Sequence, residues 1–160
     1  NHAFGKHMET IAQLILGKAH TRVYYAELGG FDTHIQQKNK QGRLLKQYSD
    51  AMLPFMEEMR AANLLDRVVV VTFSEFGRRV AQNASGGTDH GTANNLFVMG
   101  GKLAHPGIAN EAPDLSSLDE GDLKYRIDFR SVYADLLKHC LGSSAESVGI
   151  KGFEPLGLFS

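Results

Sequence analysis

The run Arg67-Val68-Val69-Val70-Val71-Thr72-Phe73 is the part of the sequence that most directly decides the fold. Four consecutive valines without polar alternation predict a strand that is covered on both faces, as in a parallel sheet. Because segments with helical periodicity lie on both sides of this strand, we expect helices and strands to alternate along the chain. The predicted fold class is therefore α/β, with a mainly parallel sheet flanked by helices.

The segments around the valine strand are predicted from apolar spacing and from turn residues. Helical spacing predicts a helix over residues 8–19, a longer helix that Pro54 should kink or divide, and a last helix that Asp128 caps at its N-terminus. Two further strands are predicted over residues 23–26 and 96–99, where β-branched and aromatic residues precede paired glycines.

The composition limits the classes of protein to which the chain can belong. Its 160 residues form one ordinary domain, and 17 basic against 18 acidic residues leave no basic surface for nucleic acid. No apolar run reaches the length of a membrane span, and the single cysteine excludes an intrachain disulfide. Because the sequence starts with Asn1 instead of Met, we expect it to be a piece of a longer protein.

Three loops beside the predicted strands carry residues with metal-binding chemistry. In chain order these residues are Asp32, His34, Glu75, Asp89 and His90. Ligands of open α/β sheets bind beyond the carboxyl ends of the strands, so we expect the three loops to meet at one edge of the sheet. Carboxylate oxygens and imidazole nitrogens without a thiolate favour a divalent cation, and we expect zinc or manganese.

Two arginines, Arg78 and Arg79, lie three and four residues after Glu75. A planar guanidinium group suits a pair of phosphate or sulfate oxygens, and we predict that Arg78 or Arg79 holds an anion beside the metal.

Each loop also has a purely structural interpretation. Asp32 can cap the helix that follows it, Asp89 can form an Asx-turn, and Glu75 can pair with a neighbouring arginine at the surface. Taken one at a time, the loops favour these structural roles, whereas the three loops together favour a metal site. A separate hypothesis is a serine hydrolase that uses Ser74, His90 and Asp32, although Phe73-Ser74-Glu75-Phe76-Gly77 lacks the Gly-x-Ser-x-Gly pattern.

Three sequence motifs, read together, resemble a known family. They are Leu28-Gly29-Gly30-Phe31-Asp32-Thr33-His34, Val71-Thr72-Phe73-Ser74-Glu75-Phe76-Gly77-Arg78-Arg79 and Gly87-Thr88-Asp89-His90-Gly91. The family that they resemble is the bacterial domain-of-unknown-function family 1501, whose members are typically exported by the twin-arginine route. It is similar to a distant branch of the alkaline phosphatase and sulfatase superfamily.

The resemblance implies an alkaline-phosphatase-like domain of which residues 1–160 are the carboxy-terminal portion, incomplete at the amino end. It implies a metal held by Asp32, His34 and His90, with Glu75-Phe76 at the place of a second metal site. The implied function is metal-dependent hydrolysis of a small phosphate or sulfate ester in the periplasm. The alternative is a non-catalytic, metal-stabilised binding or secretion-associated module.

Overall fold

The computed structural model describes residues 2–160, and these fall into two compact units. The first unit consists of the chain up to Leu64 together with Arg79–Asp89. The second unit consists of Leu65–Arg78 and His90–Ser160.

Two long helices form the core of the first unit. Helix α1 spans Ala3–Leu16 and helix α2 spans Gln37–Ala61. The aromatic rings of Phe4 and Tyr48 stack across the pair, with their centroids 6.1 Å apart. The residues that the two helices bury are Phe4, Met8, Ala12, Ala51, Met52, Phe55 and Met59. The recurrence of these residues every three or four positions places each set on one helix face.

Helix α1 and helix α2 each differ from the prediction in one respect. Helix α1 begins at Ala3, where the imidazole Nδ1 of His2 accepts the backbone N–H of Gly5 as an N-cap. Pro54 does not divide helix α2, which is one helix of 25 residues. Met52, Phe55 and Met59 are buried on both sides of the exposed proline, so the packed face holds the helix together there.

The strand predicted over residues 23–26 is not formed. Val23 and Tyr25 are exposed, and the segment has no regular secondary structure and no partner strand in the described part of the chain. High β-propensity alone therefore does not produce a strand here, because a strand also needs a neighbour for its backbone hydrogen bonds.

The second unit contains all four strands. Strand β1 (Val69–Thr72) pairs with strand β4 (Phe97–Gly100), and strand β2 (Gly77–Arg78) pairs with strand β3 (His90–Gly91). Val69 lies opposite Gly100 and Thr72 lies opposite Phe97, so the β1–β4 pair is antiparallel. The predicted strand over residues 96–99 is confirmed as β4, shifted by one residue.

The predicted parallel sheet of alkaline-phosphatase-like type is wrong. Both strand pairs are antiparallel and two-stranded, and residues 2–160 form no parallel pair. All four residues of β1 are half-buried, which explains the absence of polar alternation. A strand that is covered on both faces can nevertheless pair with either a parallel or an antiparallel neighbour. A parallel neighbour needs a crossover connection, whereas the chain between β1 and β4 contains the antiparallel β2–β3 pair.

The last helix was predicted well. Helix α3 spans Phe129–Leu136, and the Asp128 carboxylate caps it by accepting the backbone N–H of Arg130 at 2.9 Å. A π-helical turn over Leu137–Leu141 continues it, and a short 3₁₀ helix follows over Ala145–Val148. None of the helices in the described chain is long and apolar enough to cross a bilayer.

Candidate metal site

His34 lies between two carboxylates of the first unit. Its Nε2 is 2.9 Å from Oδ1 of Asp32, and its Nδ1 is 3.3 Å from Oδ1 of Asp89. A neutral imidazole carries a proton on one nitrogen only, so it can donate to one carboxylate but not to both. The arrangement therefore places two carboxylate oxygens around one imidazole, which is a favourable environment for a cation.

The two loops that carry these residues are joined through their backbones. Ile35 and Gly86 form an isolated antiparallel bridge, and the backbone N–H of Gln36 donates to the Ser85 carbonyl at 3.1 Å. The side chain of Gln37 donates to the Thr88 hydroxyl at 2.9 Å. The cluster of Asp32, His34 and Asp89 is thus supported by backbone pairing as well as by its own side-chain contacts.

Asn83 both joins the two loops and organises its own loop. Its Nδ2 donates to the His34 carbonyl at 3.0 Å and to Oδ1 of Asp89 at 3.4 Å. Its Oδ1 accepts the backbone N–H groups of Ser85 and Gly87, each at 3.0 Å. One amide side chain therefore fixes the loop around Gly87 and holds a carboxylate that faces His34.

Gly87 allows the two backbones to approach closely. A Cβ atom at this position would overlap the backbone of Thr33 and His34, and Gly87 itself is buried. Thr33 is fully buried beneath the same contact. The position requires glycine because the neighbouring atoms are rigid backbone, not the mobile end of a side chain.

The electrostatics of the cluster favour a positive charge. Hydrogen bonds from the Asn83 amide and from His34 hold the pKa of Asp89 below its ordinary value, and Arg79 adds a weaker attraction. The side chains of Asp32, His34 and Asp89 are 56%, 42% and 64% exposed. The Asp89 carboxylate is therefore stabilised in its ionised form, and all three side chains are accessible from solvent.

The donor set fits a divalent metal. Asp32 and His34 offer ligand atoms within 4.8 Å of each other and form part of a group that could hold a metal ion. A carboxylate and an imidazole are oxygen and nitrogen ligands that zinc and manganese accept, and Asp89, at the other ring nitrogen of His34, is placed to orient that ring. Asp32 does not cap helix α2, because that helix begins at Gln37 with Gln36 as its N-cap.

His90, the residue after Asp89 in the chain, belongs to the second unit. Its ring stacks on Phe76, with the centroids 3.9 Å apart, and the guanidinium carbon of Arg78 lies 5.3 Å from the centre of the Phe76 ring. Arg78 and His90 are also directly paired across strands β2 and β3. Phe76, which cannot bind a metal, therefore positions both a predicted ligand and a predicted anion-binding arginine.

The Ser74 hydroxyl forms a hydrogen bond within the turn that contains it. Ser74 Oγ donates to the Phe76 carbonyl at 2.6 Å, and Asn94 Nδ2 donates to the carbonyl oxygens of both Ser74 and Phe76. A nucleophilic serine instead donates its proton to a general base. This geometry does not favour the serine hydrolase hypothesis.

The structure brings together three of the five predicted metal ligands within one unit, namely Asp32, His34 and Asp89. Glu75 is exposed in the turn between β1 and β2 and lies with Arg78 and His90 in the second unit. Arg79 joins the first unit, where its backbone N–H donates to the Asp89 carbonyl at 3.0 Å. The roles of Glu75, Arg78, Arg79 and His90 stay predictions.

The roles of Asn83 and Phe76 were not predicted from the sequence. A signal for Asn83 was present, because an asparagine four residues before Gly87 in a Gly-rich turn is typical of an Asx-turn. Nothing in the sequence identified Phe76 as the partner of His90, since ring stacking depends on the β2–β3 register.

Comparison with known proteins identifies one family. The family model described as "Protein of unknown function (DUF1501)" matches residues 4–145. No curated protein and no solved structure matches the chain.

Proposed function

Because this chain belongs to the DUF1501 family and carries an Asp–His–Asp cluster, we propose that it binds a divalent metal, zinc or manganese, and uses it to hydrolyse a small phosphate or sulfate ester. The proposed ligands are Asp32 and His34, and His90 is a further ligand predicted from the sequence, whereas Asp89 faces the other ring nitrogen of His34. The observation that supports the proposal is the imidazole of His34 with a carboxylate oxygen at each ring nitrogen.

Each residue has a role that follows from its contacts. Asp32 and His34 bind the ion, and Asn83 orients Asp89 by donating to its Oδ1. Arg78 and Arg79 bind the anionic group of the substrate. When bound, the metal would act as a Lewis acid that polarises an ester oxygen.

The first test is metal content. We expect the chain to bind zinc or manganese near one equivalent by elemental analysis and by calorimetry. His34→Ala and Asp32→Asn should each weaken binding by about tenfold or more, because each removes a ligand. His90→Gln tests the predicted ligand His90 in the same way. His105→Ala is the matched control, since His105 is an exposed histidine in the loop after β4. Equal affinity in all these proteins would reject the metal site.

The second test is turnover. The metal-loaded chain should hydrolyse 4-nitrophenyl phosphate or 4-nitrophenyl sulfate, and a chelator should stop the reaction. Arg78→Gln and Arg79→Gln should raise KM more than they lower kcat if these side chains bind the anion.

The non-catalytic alternative has support of its own. The three cluster side chains are 42% to 64% exposed, and a hydrolytic site usually excludes more water from its metal. A metal-stabilised module would bind metal with a rise in Tm but would hydrolyse neither ester. Export to the periplasm is a further proposal, which fractionation of the producing cells would check.

A further inference from the structure

The first half of helix α2 carries an unbalanced positive charge. Residues 37–49 contain Lys38, Lys40, Arg43 and Lys46 and no acidic residue, in a chain whose net charge is -1. Cations near the N-terminus of a helix are unfavourable, because the helix dipole already makes that end positive. The first turn has no acidic side chain, and the N-cap residue Gln36 makes no side-chain cap. This charge lowers the stability of the helix unless an anion balances it.

Two of these four cations line a hollow in the first unit. The hollow has a volume of about 280 Å³ and is lined by Gly30, Lys40, Arg43, Leu44 and Gln47. Lys40, Leu44 and Gln47 follow one another at intervals of four and three residues, so they lie on one face of helix α2. A water molecule occupies about 30 Å³, so the hollow can hold a phosphate-sized anion with several waters.

The two cations that line the hollow differ from Lys46 in whether they have an ion-pair partner. Lys46 is already paired, with its Nζ 2.6 Å from Oδ2 of Asp50 one turn further on. Neither Lys40 nor Arg43 has a carboxylate within ion-pair distance in the part of the chain that the structure describes. The charges in the hollow are therefore available for a ligand, whereas the charge of Lys46 is not.

One acidic side chain comes near the loop that closes the hollow. Oε1 of Glu27 lies 3.7 Å from the place that a Cβ at Gly29 would occupy. Gly30 itself has a φ of +99°, and a Cβ there would contact the Leu44 side chain. The loop thus presents the backbone of Gly30 to the hollow, and the Glu27 carboxylate lies beside the preceding residue, Gly29.

We propose that this hollow is a binding site for a tetrahedral oxyanion, a phosphate or sulfate group, held by the guanidinium of Arg43, the ammonium of Lys40 and the amide of Gln47. Arg43 supplies a planar fork for two oxygens, and Lys40 supplies a point charge. Binding of the anion does not depend on a metal. This site is separate from the anion-binding role proposed for Arg78 and Arg79, and its occupant is a free phosphate or sulfate.

The test is calorimetric titration of the full chain with inorganic phosphate and, separately, inorganic sulfate, at low ionic strength and with a chelator present. We expect Arg43→Gln and Lys40→Gln each to weaken binding by about tenfold. Lys46→Gln is the matched control, because it removes the same charge from the same helix outside the hollow, and it should change the affinity by less than about twofold. Glu27→Gln should strengthen binding, because it removes a nearby negative charge.

The outcomes separate this site from the metal site. Phosphate or sulfate binding that Arg43→Gln and Lys40→Gln weaken, in a chain that binds no metal, supports the anion site and rejects the proposed function. Metal binding without anion binding in the chelated protein rejects the anion site alone. An equal loss in Lys46→Gln would also overturn it, because the effect would then be one of total charge. Circular dichroism of each variant verifies that helix α2 is intact.

Discussion

Asp135 is a charged side chain without any exposure to solvent. Its Oδ2 accepts the backbone N–H groups of Leu156 and Leu158, at 2.7 and 3.1 Å. Its Oδ1 is buried without a hydrogen-bond partner, and the nearest ion-pair group is Nε2 of His139 at 3.7 Å. A buried carboxylate is costly unless its charge is compensated, and the two tail amides supply most of that compensation. Asp135 therefore ties the last residues of the chain to helix α3.

Replacement of this carboxylate should strongly destabilise the protein. Asp135→Ala leaves the N–H groups of Leu156 and Leu158 without their acceptor, so we expect the free energy of unfolding to fall by about 3 kcal/mol. Urea denaturation followed by circular dichroism measures the change. Asp50→Ala is the control, because it breaks the exposed pair with Lys46 and should cost at most about 0.5 kcal/mol. Similar losses in the two variants would show that the tail contact contributes little.

At the scale of elements, the Asp128 cap makes helix α3 sensitive to acid. Hydrogen bonds from the Arg130 side chain and backbone lower the pKa of the Asp128 carboxyl to about 2 from its ordinary value of 3.8. Because this pKa is lower in the folded than in the unfolded chain, the cap contributes its full stability above about pH 4. That contribution is lost as the pH falls through about 2.

Asp128→Ala should therefore lower the free energy of unfolding by about 1 kcal/mol at pH 7, which is typical of a lost N-cap. The difference from the native chain should shrink between pH 4 and pH 2 and vanish below that range. Thermal unfolding at several pH values measures it. A difference that stays constant down to pH 2 would mean that the ionised carboxylate is not what stabilises the helix.

The contact between the Thr33–His34 segment and the Gly87 loop is a second feature at this scale. Gly87→Ala introduces a Cβ that overlaps the backbone of Thr33 and His34, so the loops must separate. We expect a loss of about 2 kcal/mol or more in stability, together with weaker metal binding, because His34 then moves away from Asp89. Unfolding curves and metal titration give the two readouts.

Gly42 provides the matched control for this substitution. It lies inside helix α2, and a Cβ there would meet no atom within 4 Å. Gly42→Ala should therefore stabilise the chain by up to about 1 kcal/mol and leave metal affinity unchanged. If Gly87→Ala behaves like Gly42→Ala, the close approach of the two loops is not needed for the site.

At the scale of the whole molecule, the family was predicted correctly from the sequence, whereas the sheet architecture was not. The motifs identified the family correctly, and its model covers residues 4–145. The architecture inferred from it was wrong, because β1 pairs antiparallel with β4 and no parallel sheet is present in residues 2–160. A chain with near-zero net charge nevertheless concentrates cations in the first half of helix α2 and carboxylates around His34. The two proposed binding sites therefore rest on local charge and not on net charge.

The sequence by itself determined those features that depend on neighbours along the chain. Periodicity located helices α1, α2 and α3, and the Asp128 cap followed from the residue type before the last helix. The candidate residues Asp32, His34 and Asp89 followed from their chemistry alone.

Only the tertiary structure decided which residues are partners across long stretches of chain. The direction of β1 and β4, the role of Asn83 and the stacking of Phe76 on His90 depend on contacts between segments distant in sequence. The segment around Val23 forms no strand because it has no partner strand, although its residues have high β-propensity. Propensity acts within a few residues, whereas pairing is selected by the free energy of the whole fold.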